Sequence, residues 1–481
     1  MNVKLSTGRV LPIEMHKVRI VQSTSLPPAA QRLEAAREAG FNTFLMRTRD
    51  VFIDMLTDSG TNAMSDNQLA SMMVADDAYA GGESFYRLEK AVQDVFGLKY
   101  CLPVHQGRAA EHLIGKVLVR EGTAVAMNYH FTTTKAHFEM GGGEVLELYG
   151  KDALDTESCN PFKGNMDLDR LNKVIAERGA EALSFVRMEA TTNLIGGQPF
   201  SMANLKAVKT ICAKHGIPLI IDASLISENA YFIHAREAEY ADVSVADIIK
   251  EMMSLVDLCY LSGRKSTCVR GGFIATNDSK LYEQLKPWLP VYEGFLTYGG
   301  MSSKEIEAMA VGMREMVDIN VASSSADLIQ YFVDQMVARG VPAVTPAGGL
   351  AGHVDARRFL PHIPSLEYPA GALAAAIYLA SGVRPMERGT ISTDRDAQGN
   401  EVASDLELAR LAVPRRVYTM SHMDYVVDRL AWLYEHRNLV KGLKFTDEPP
   451  VLRFFLGKLT DIDGWAAKLT EAFEADFGKD C

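Results

Sequence analysis

The sequence predicts an α/β fold, in which a large domain with a mostly parallel central sheet is joined to a smaller α+β domain. Strand-like and helix-like patterns alternate between residues 98 and 265, and this order favours right-handed crossovers between parallel strands. Several of the apolar strand-like stretches run directly into polar residues. In addition, a chain of 481 residues is too long for one ordinary core, so we expect two domains.

The elements of the large domain are predicted from apolar runs that are bounded by glycine, proline and polar residues. In chain order they are a helix over 29–39, a strand over 98–104, a helix over 108–119, a strand over 183–190, a helix over 202–214, a strand over 217–221 and a strand over 256–265 that runs into a turn. Gly40 and Gly216 lie just beyond the ends of two predicted helices, and Gly107 lies just before another.

The pattern changes beyond about residue 300, where amphipathic helices and short strands predominate. The predicted elements there are helices over 304–316, 325–339, 371–380, 422–436 and 464–477 and a strand over 410–413. We therefore predict that residues 1–60 are an N-terminal arm belonging in part to the small domain, that residues 61–319 form the large domain and that residues 320–481 form the small domain.

Composition and charge exclude several classes of protein. The net charge of −11 argues against nucleic acid or an anionic membrane as a partner. No apolar run is long enough to span a membrane and no secretory signal is evident, so we expect cytoplasmic residence. The cysteines show no metal-ligand spacing, which argues against zinc; they are Cys101, Cys159, Cys212, Cys259, Cys268 and Cys481.

Three polar residues follow predicted strands and are candidates for catalysis. Lys265 follows the strand over 256–265, Asp222 follows 217–221, and Asn193 follows 183–190. Ligands of open α/β sheets bind at the carboxyl ends of the strands. A lysine that forms a Schiff base, together with an aspartate that holds a pyridinium nitrogen, is typical of pyridoxal phosphate enzymes. The alternatives are a solvated lysine and an aspartate that caps a turn.

A phosphate site is predicted where a strand meets a helix at Gln106-Gly107-Arg108. The helix N-terminus offers free N–H groups, the glycine permits close approach of the backbone, and Arg108 or Arg264 adds positive charge. Ser262-Gly263 forms a second turn of small residues just before Lys265. A plain glycine turn with a solvated arginine is the alternative for the first motif alone.

Longer strings along nearly the whole chain carry a resemblance to a known family. They are Leu56–Asp66, Asp77–Gly81, His105–Arg108, Phe131–Thr134, Gly196–Pro199, Glu228–Phe232, Met386–Gly389 and Val413–Arg416. With these strings the chain resembles the β-eliminating lyases of the tryptophanase and tyrosine phenol-lyase group, and the tyrosine phenol-lyase branch more closely. The resemblance implies a fold-type I pyridoxal 5'-phosphate enzyme with a small-molecule amino-acid substrate and a large cofactor-binding domain. It also implies assembly as a homotetramer, a dimer of dimers.

The resemblance also implies a role for individual cofactor-binding residues. Lys265 matches the lysine that holds the cofactor and moves the Cα proton, Asp222 matches the partner of the pyridine nitrogen, and Asn193 matches the partner of the ring hydroxyl. Phe131 matches the aromatic residue that stacks on the cofactor ring. The implied phosphate cradle consists of Gln106, Gly107, Arg108 and Ser262, with Arg264 beside them.

Substrate-binding roles follow from the same resemblance. Arg410 matches the arginine that grips the substrate carboxylate, and Tyr79 matches the general acid at the leaving aromatic carbon. Without the resemblance, Tyr79 is more typical of a packed aromatic residue. The remaining residues matched to the substrate are Thr132 and Arg388, which select a phenolic hydroxyl, Phe454, an aromatic residue of the pocket, and Thr57 and Met386.

The activity implied is the reversible β-elimination of L-tyrosine, or of a tyrosine-like amino acid, to phenol, pyruvate and ammonia. Arg388 and Phe454 favour a phenolic side chain over an indole. Three alternatives stay open: a tryptophanase, a divergent pyridoxal phosphate enzyme of the family that catalyses β-elimination or replacement on another amino acid, and a non-catalytic relative.

Three departures from the family pattern surround the cofactor lysine. Leu225 stands where the family has an arginine near the cofactor hydroxyl, and Arg264-Lys265-Ser266 stands where the family has Lys-Lys-Asp. The segment Thr267–Gly272 is shorter than its counterpart, which helps to bind a monovalent cation, potassium, near Gly60 and Asp77. We hypothesise that Arg270 takes the place of this cation and pairs with Asp77. The alternative is that Arg270 points to solvent.

Overall fold

The computed structural model describes residues 1–396, 398–450 and 452–479, so that Cys481 lies outside the described residues. The chain divides into two compact units. The small unit comprises residues 1–58, 156–159 and 327–481, and the large unit comprises residues 59–155 and 160–326.

Strands and helices are numbered in chain order. The strands are β1 (Asn2–Lys4), β2 (Val10–Pro12), β3 (Ile53–Asp54), β4 (Tyr100–Val104), β5 (Ala124–Met127), β6 (Glu144–Glu147), β7 (Leu183–Glu189), β8 (Leu219–Asp222), β9 (Leu258–Ser262), β10 (Gly272–Thr276), β11 (Ala351–Asp355), β12 (Val383–Arg384), β13 (Met386–Arg388), β14 (Leu408–Ala412), β15 (Leu443–Asp447) and β16 (Lys458–Asp461).

The helices are α1 (Ala29–Glu38), α2 (Asp66–Met72), α3 (Glu83–Phe96), α4 (Gly107–Leu118), α5 (Thr132–Met140), α6 (Leu168–Arg178), α7 (Met202–His215), α8 (Ile226–Arg236), α9 (Val245–Ser254), α10 (Ser279–Leu285), α11 (Leu289–Tyr292), α12 (Ser303–Glu315), α13 (Ile319–Ala338), α14 (Ala356–Phe359), α15 (Pro369–Ser381), α16 (Met420–Glu435), α17 (Arg453–Leu456) and α18 (Trp465–Phe477). Among the described residues, no helix combines the length and the apolar character needed to cross a membrane.

The large unit is built on a seven-stranded sheet with the order β4-β10-β9-β8-β7-β5-β6. Strands β6, β5, β7, β8 and β9 run parallel to one another, whereas β10 is antiparallel to both β9 and β4. All residues of β7, β8, β9 and β10 are buried, as expected for strands that are covered on both faces. The predicted α/β fold with a mostly parallel sheet is confirmed.

Helices cover the two faces of this sheet with separate apolar cores. On one face, α4 contributes Leu113 and Ile114 and α5 contributes Phe138 to a cluster that includes Tyr260. On the other face, helices that include α3, α7, α9 and α12 pack in a larger cluster. The first of these faces carries the buried charged residues of the candidate site.

Asp222 lies in β8, the strand that follows helix α7. Helix α7 begins after Ser201, whose hydroxyl accepts a hydrogen bond from the N–H of Asn204, and ends at Gly216 in the left-handed conformation. The strand expected over 217–221 instead begins at Leu219 and includes Asp222. Asp222 is therefore held in the sheet, in register with Glu189 on β7 and Tyr260 on β9.

The small unit is organised around helix α15, all of whose residues are buried. Such a helix, apolar on every side, is typical of a central core element, and it packs against α1, α16 and α18. The three-stranded antiparallel sheet β11-β14-β13 lies in the same unit, with β14 in the middle. This sheet carries Arg410 on β14 and both Met386 and Arg388 on β13.

Candidate active site

Lys265 lies in a tight turn that directly follows β9. Its N–H donates to the carbonyl of Ser262 at 3.3 Å, and its own carbonyl accepts from the N–H of Cys268 at 3.0 Å and from Asn62 Nδ2 at 3.2 Å. Cys268 has a φ of +56°, in the left-handed region that residues other than glycine seldom occupy. These hydrogen bonds fix the backbone of Lys265 and so set the direction in which its side chain leaves the turn.

The Lys265 ammonium lies over the ring of Phe131. The distance from Nζ to the ring centroid is 5.2 Å, within the range of a cation–π contact. Phe131 is the residue that precedes the first turn of α5, and both residues are half-buried. The structure therefore brings together the predicted cofactor lysine and the predicted stacking aromatic residue.

Asp222 is buried at the end of β8 and is held by hydrogen bonds to both carboxylate oxygens. Oδ2 accepts from Arg187 Nη2 at 2.7 Å, and Oδ1 accepts from the N–H of Ser224 at 3.0 Å. Burial opposes ionisation, but Arg187, Lys265 and the hydrogen bonds from Ser224 together outweigh it and lower the pKa of Asp222. Asp222 is thus a carboxylate in the electrostatic field of Lys265.

Arg187 and Glu189 belong to the same network, although the sequence reasoning missed both of them. They lie two residues apart on β7 and so project from the same face of the sheet. Arg187 Nη1 and Nη2 each donate to Glu189 Oε2 at 3.2 Å, and Glu189 Oε1 accepts from the N–H of Asn193 at 3.0 Å. The available signal was an Arg and a Glu at alternate positions of a strand whose other residues, apart from Ser184, are apolar.

The network contains more buried carboxyl groups than arginines. Glu111 on α4 accepts from Thr133 Oγ1 at 2.6 Å and from the Tyr260 hydroxyl at 3.4 Å. Burial, and then repulsion from Asp222, raises the pKa of Glu111. Burial also raises the pKa of Glu189, although the positive charge of Arg187 opposes this change. Loss of one partner from a buried ion pair costs roughly 3–5 kcal/mol, so Arg187 is essential to this arrangement.

The N-terminus of α4 and the turn after β9, which contain the residues of the predicted phosphate cradle, lie against each other. Gln106 precedes the helix and makes no side-chain cap, so the first N–H groups of the helix are available to an anion. A Cβ added to Gly107 would lie 2.8 Å from the Cβ of Ser262, which shows how closely the two turns approach. Only glycine permits this packing.

Three arginines add positive charge to this cradle. Burial, and then the charges of Arg270 and Arg108, lower the pKa of Arg264. Arg108 and Arg270 are exposed, whereas Arg264 is half-buried. Such a concentration of positive charge favours binding of a phosphate group. With Lys265 over Phe131 and Asp222 nearby, the residues present fit pyridoxal 5'-phosphate.

The loops after β7 and β8 complete this region. Thr191 has a φ of +56°, and its N–H donates to Asn229 Oδ1 at 2.9 Å, which holds the strained backbone two residues before Asn193. Leu225 is buried, and its carbonyl accepts from the Thr191 hydroxyl at 3.2 Å. Ser266 is also buried, with its hydroxyl donating to the carbonyl of Ser224 at 2.8 Å.

The expected pair between Arg270 and Asp77 is not formed. Within the described part of the chain Arg270 makes no ion pair, and the Asp77 carboxylate instead accepts from Ser303 Oγ at 2.6 Å. A different arginine approaches Gly60: a Cβ on Gly60 would lie 2.6 Å from Arg264 Nη2, and Arg264 Nε donates to Ser59 Oγ at 3.2 Å. The Arg270–Asp77 pair is therefore wrong, because closeness of Arg270 to the shortened loop in sequence does not set the direction of its side chain.

Tyr79 lies apart from Lys265 within this chain. Its side chain is 73% exposed, and its ring packs 5.7 Å from Phe295 and 5.4 Å from Tyr298. Among the described residues, Tyr79 makes no hydrogen bond or ring contact with Lys265 or Phe131. Thr132, by contrast, directly follows Phe131 as the first residue of α5.

The predicted carboxylate-binding arginine is buried in the small unit. Arg410 Nη2 donates to the carbonyl of Leu56 at 3.0 Å, next to Thr57 in the chain, and Arg410 is in register with Met386. Burial lowers the pKa of Arg410 to about 10, although Asp58 opposes the change. Nη1 of Arg388 donates to Ser404 Oγ at 2.7 Å and to Asp405 Oδ1 at 3.2 Å.

Phe454 lines a water-sized cavity of about 20 Å³ within the small unit. Its ring lies 5.5 Å from Phe44 in an edge-to-face contact. Glu387 lines the same cavity, and its carboxyl group is bonded to the Ser392 hydroxyl at 2.6 Å. Burial, and then repulsion from Glu407, raises the pKa of Glu387 to about 7.

Comparison with known proteins agrees with this geometry. The β-eliminating lyase family matches residues 54–429. The chain is 45% identical to the tyrosine phenol-lyase of Pasteurella multocida over 452 residues, which cover 94% of this chain and 99% of that enzyme. It is also 45% identical to the tyrosine phenol-lyase of Symbiobacterium thermophilum, over 93% of this chain and 98% of that enzyme.

Solved structures show the same fold at low sequence identity. Serine palmitoyltransferase from Sphingomonas wittichii matches with a TM-score of 0.57 and 14% identity, over 81% of this chain and 88% of that chain. The complex of SepCysS with the SepCysE N-terminal domain matches with a TM-score of 0.54 and 14% identity, over 81% of this chain and 96% of that chain. The fold is therefore that of fold-type I pyridoxal phosphate enzymes.

The raised pKa of Glu387 generates a prediction about stability. Since the folded-state pKa of about 7 lies above the ordinary glutamate value, the stabilising contribution is complete at low pH and is lost as the pH rises through 7. We expect the free energy of unfolding to fall by up to about 3 kcal/mol between pH 5 and pH 8, and expect Glu387→Gln to abolish most of this fall.

The measurement is urea unfolding at both pH values for the native protein and for Glu387→Gln. Glu471→Gln, at an exposed glutamate of α18, is the control and should retain the native pH dependence. Parallel losses of stability in the native protein and in Glu387→Gln would show that another group is responsible.

Proposed function

This chain belongs to the β-eliminating lyase family, and on that premise we propose that it is a pyridoxal-phosphate-dependent carbon–carbon lyase. Its proposed reaction is the reversible β-elimination of L-tyrosine, or of a tyrosine-like amino acid, to phenol, pyruvate and ammonia. The observation that carries the proposal is 45% identity, over 94% of the chain, to a tyrosine phenol-lyase. Lys265 over Phe131, with Asp222 nearby, supports it.

The large unit supplies the groups for cofactor chemistry. When bound, pyridoxal 5'-phosphate supplies an electron-withdrawing ring that stabilises negative charge at the substrate Cα. Lys265 would hold the cofactor and afterwards move the Cα proton, and Asp222 would hold the ring nitrogen. Asn193 would donate to the ring hydroxyl and Phe131 would stack on the ring. Gln106, Gly107, Arg108 and Ser262 would bind the phosphate, with Arg264 adding positive charge.

Substrate recognition is assigned to six residues, five of them in the small unit. We propose that Arg410 binds the substrate carboxylate, because a planar guanidinium matches a carboxylate with two parallel hydrogen bonds. Arg388 and Thr132 select the phenolic hydroxyl. Phe454 and Met386 provide apolar surface for the aromatic ring, and Thr57 contacts the substrate next to Leu56, whose carbonyl holds Arg410.

Tyr79 is proposed to act as the general acid in a neighbouring copy of the chain. This assignment fits its 73% exposure and its position apart from Lys265. Other large apolar side chains of the large unit are also exposed in the single chain, namely Met73, Val74, Val291 and Tyr292. Exposed apolar residues are suited to an interface, which supports the proposed homotetramer.

A divergent family enzyme that acts on another amino acid is the second candidate. The observations that favour it are the buried leucine at position 225, the Arg264-Lys265-Ser266 sequence and the ion pair that Asp222 forms with Arg187. These features change the charges around the cofactor and leave Arg388, Arg410 and Phe454 unaltered. We further propose cytoplasmic residence, consistent with the free thiols among the described cysteines.

The function is tested with an amino-acid panel in which pyruvate release and cofactor absorbance are followed together. We expect pyruvate and phenol from L-tyrosine. Lys265→Ala should lose the visible absorbance of lysine-bound cofactor and should slow pyruvate release by about 10²–10⁴-fold, since the Cα base is lost. The control is Lys173→Ala, at an exposed lysine of α6.

Each outcome of the panel decides between the candidates. Pyruvate from another amino acid, but not from tyrosine, would favour the divergent enzyme. A native protein that binds no pyridoxal 5'-phosphate would refute both.

A second prediction concerns potassium. Because the Arg264 guanidinium lies against Gly60, where the resemblance implies a cation, we propose that this side chain supplies the positive charge. Replacing potassium by sodium or by a bulky organic cation should then change activity by less than about twofold. Arg264→Ala should create a dependence on potassium, and a native enzyme that already requires potassium would contradict the proposal.

The assignment of Tyr79 to a neighbouring copy is tested by subunit mixing. Tyr79→Phe and Lys265→Ala are each expected to be inactive alone. After joint refolding, half of the dimers are mixed and each mixed dimer has one intact site, so about a quarter of native activity should return. A mixture as inactive as the separate variants would place both residues in the same subunit's site.

A further inference from the structure

The carboxylate that is assigned to the cofactor's ring nitrogen is already engaged in a buried ion pair. Arg187 is 0% exposed, and its Nη2 lies 2.7 Å from Asp222 Oδ2. The opposite oxygen, Oδ1, accepts from the N–H of Ser224. A carboxylate has about four lone-pair sites, and Arg187 with the backbone and side chain of Ser224 takes three of them, so one is left for a ring N–H. Asp222 can therefore serve both the cofactor and Arg187.

Arg187 is held in place by several bonds besides its contact with Asp222. Nε donates to the Tyr260 hydroxyl at 2.9 Å, and both terminal nitrogens donate to Glu189 Oε2 at 3.2 Å. Nη1 also donates to the carbonyl of Tyr129 at 3.4 Å. Bonds to three separate segments leave the guanidinium no alternative position, so its charge is a permanent part of the surroundings of Asp222.

The other titratable groups around Asp222 do not cancel the effect of the Arg187 charge on this carboxylate. They come from the neighbouring strands, from the turn after β9 and from α4, and they are Glu189, Cys259, Tyr260, Lys265 and Glu111. Burial raises the pKa of Glu111, Glu189, Cys259 and Tyr260, which favours their neutral forms. Arg187 is thus the buried cation in hydrogen-bond contact with Asp222.

We propose that Arg187 is a positioning residue that fixes the Asp222 carboxylate and weakens its hold on the proton of the cofactor's ring nitrogen. This inference rests on the proposed function, which assigns Asp222 to that nitrogen. A guanidinium at 2.7 Å takes up part of the carboxylate's negative charge, so less attraction is left for a pyridinium. The ring then withdraws electrons less strongly than it would beside an unpaired aspartate.

For the chemistry, the consequence is a cofactor ring that withdraws electrons less strongly from the substrate Cα. Where the resemblance expects an arginine near the cofactor hydroxyl, the chain has Leu225, and a buried arginine is paired with Asp222 instead. Arg187 therefore controls the proton on the ring, whereas Lys265 moves the proton on the substrate. It acts only through Asp222, because Asp222 is the residue that faces the cofactor.

The experiment follows the ring proton directly. The holoenzyme is reconstituted with pyridoxal 5'-phosphate carrying ¹⁵N in the ring, and the ¹⁵N chemical shift, which separates pyridinium from pyridine, is recorded across pH. We expect Arg187→Met to raise the pH at which the ring proton is lost by at least about one unit, because Asp222 regains its full charge. Asp222→Asn should lower that pH.

Two further variants keep the result interpretable. If Arg187→Met does not fold, it is combined with Glu189→Gln, which removes the carboxylate that would otherwise be left unpaired. This double variant should fold and should also raise the pH at which the ring proton is lost. Arg187→Lys keeps a cation in place and should raise that pH less than Arg187→Met does. Arg178→Met, which breaks an exposed pair with Glu144, is the control and should titrate as the native enzyme does.

Steady-state kinetics provide a second readout. Since Arg187 acts on the ring and not on the substrate, its replacement should change kcat more than KM. The inference would be overturned if Arg187→Met, or the double variant, loses the ring proton at the native pH while Asp222→Asn clearly lowers that pH. Such a result would leave the proposed function intact. A native protein that binds no pyridoxal 5'-phosphate would instead refute the proposed function.

Discussion

The buried ion pair between Arg187 and Asp222 is the interaction on which the arrangement of the large unit depends. Arg187 lies on β7 and Asp222 on β8, and both are excluded from water. Charges in such a place are tolerated only when they are paired and hydrogen-bonded. The pair therefore requires that β7 and β8 keep their register and that Glu189 and Tyr260 keep their positions on either side.

The same constraint explains the local geometry of the site. Parallel strands end at one edge of the sheet, so the last residue of β8, Asp222, lies in the same region as Asn193 after β7 and Lys265 after β9. Helix α4 adds its N-terminus at Gly107, which packs closely against Ser262. The predicted cofactor residues thus come from five chain segments, and buried hydrogen bonds fix their relative positions.

Much of this site could be predicted from the residues and from the family resemblance. Lys265 and Asp222 were identified because each follows an apolar strand, and Gly107 because it opens a helix. The Arg270–Asp77 pair was wrong, because Arg270 points to solvent and Asp77 bonds to Ser303. Arg264 lies beside Gly60 instead, half-buried and bonded to Ser59.

The sequence by itself determined the order of strands and helices, the strand ends that carry polar residues and the family to which the chain belongs. These properties depend on local patterns of apolar residues, glycine and proline, or on long matching strings. Only the tertiary structure decided which charges meet. Arg187 and Asp222 are 35 positions apart, and they pair because the register of β7 and β8 brings them to one face of the sheet. A strand's own residues determine its periodicity, but its register depends on the packing of the whole sheet.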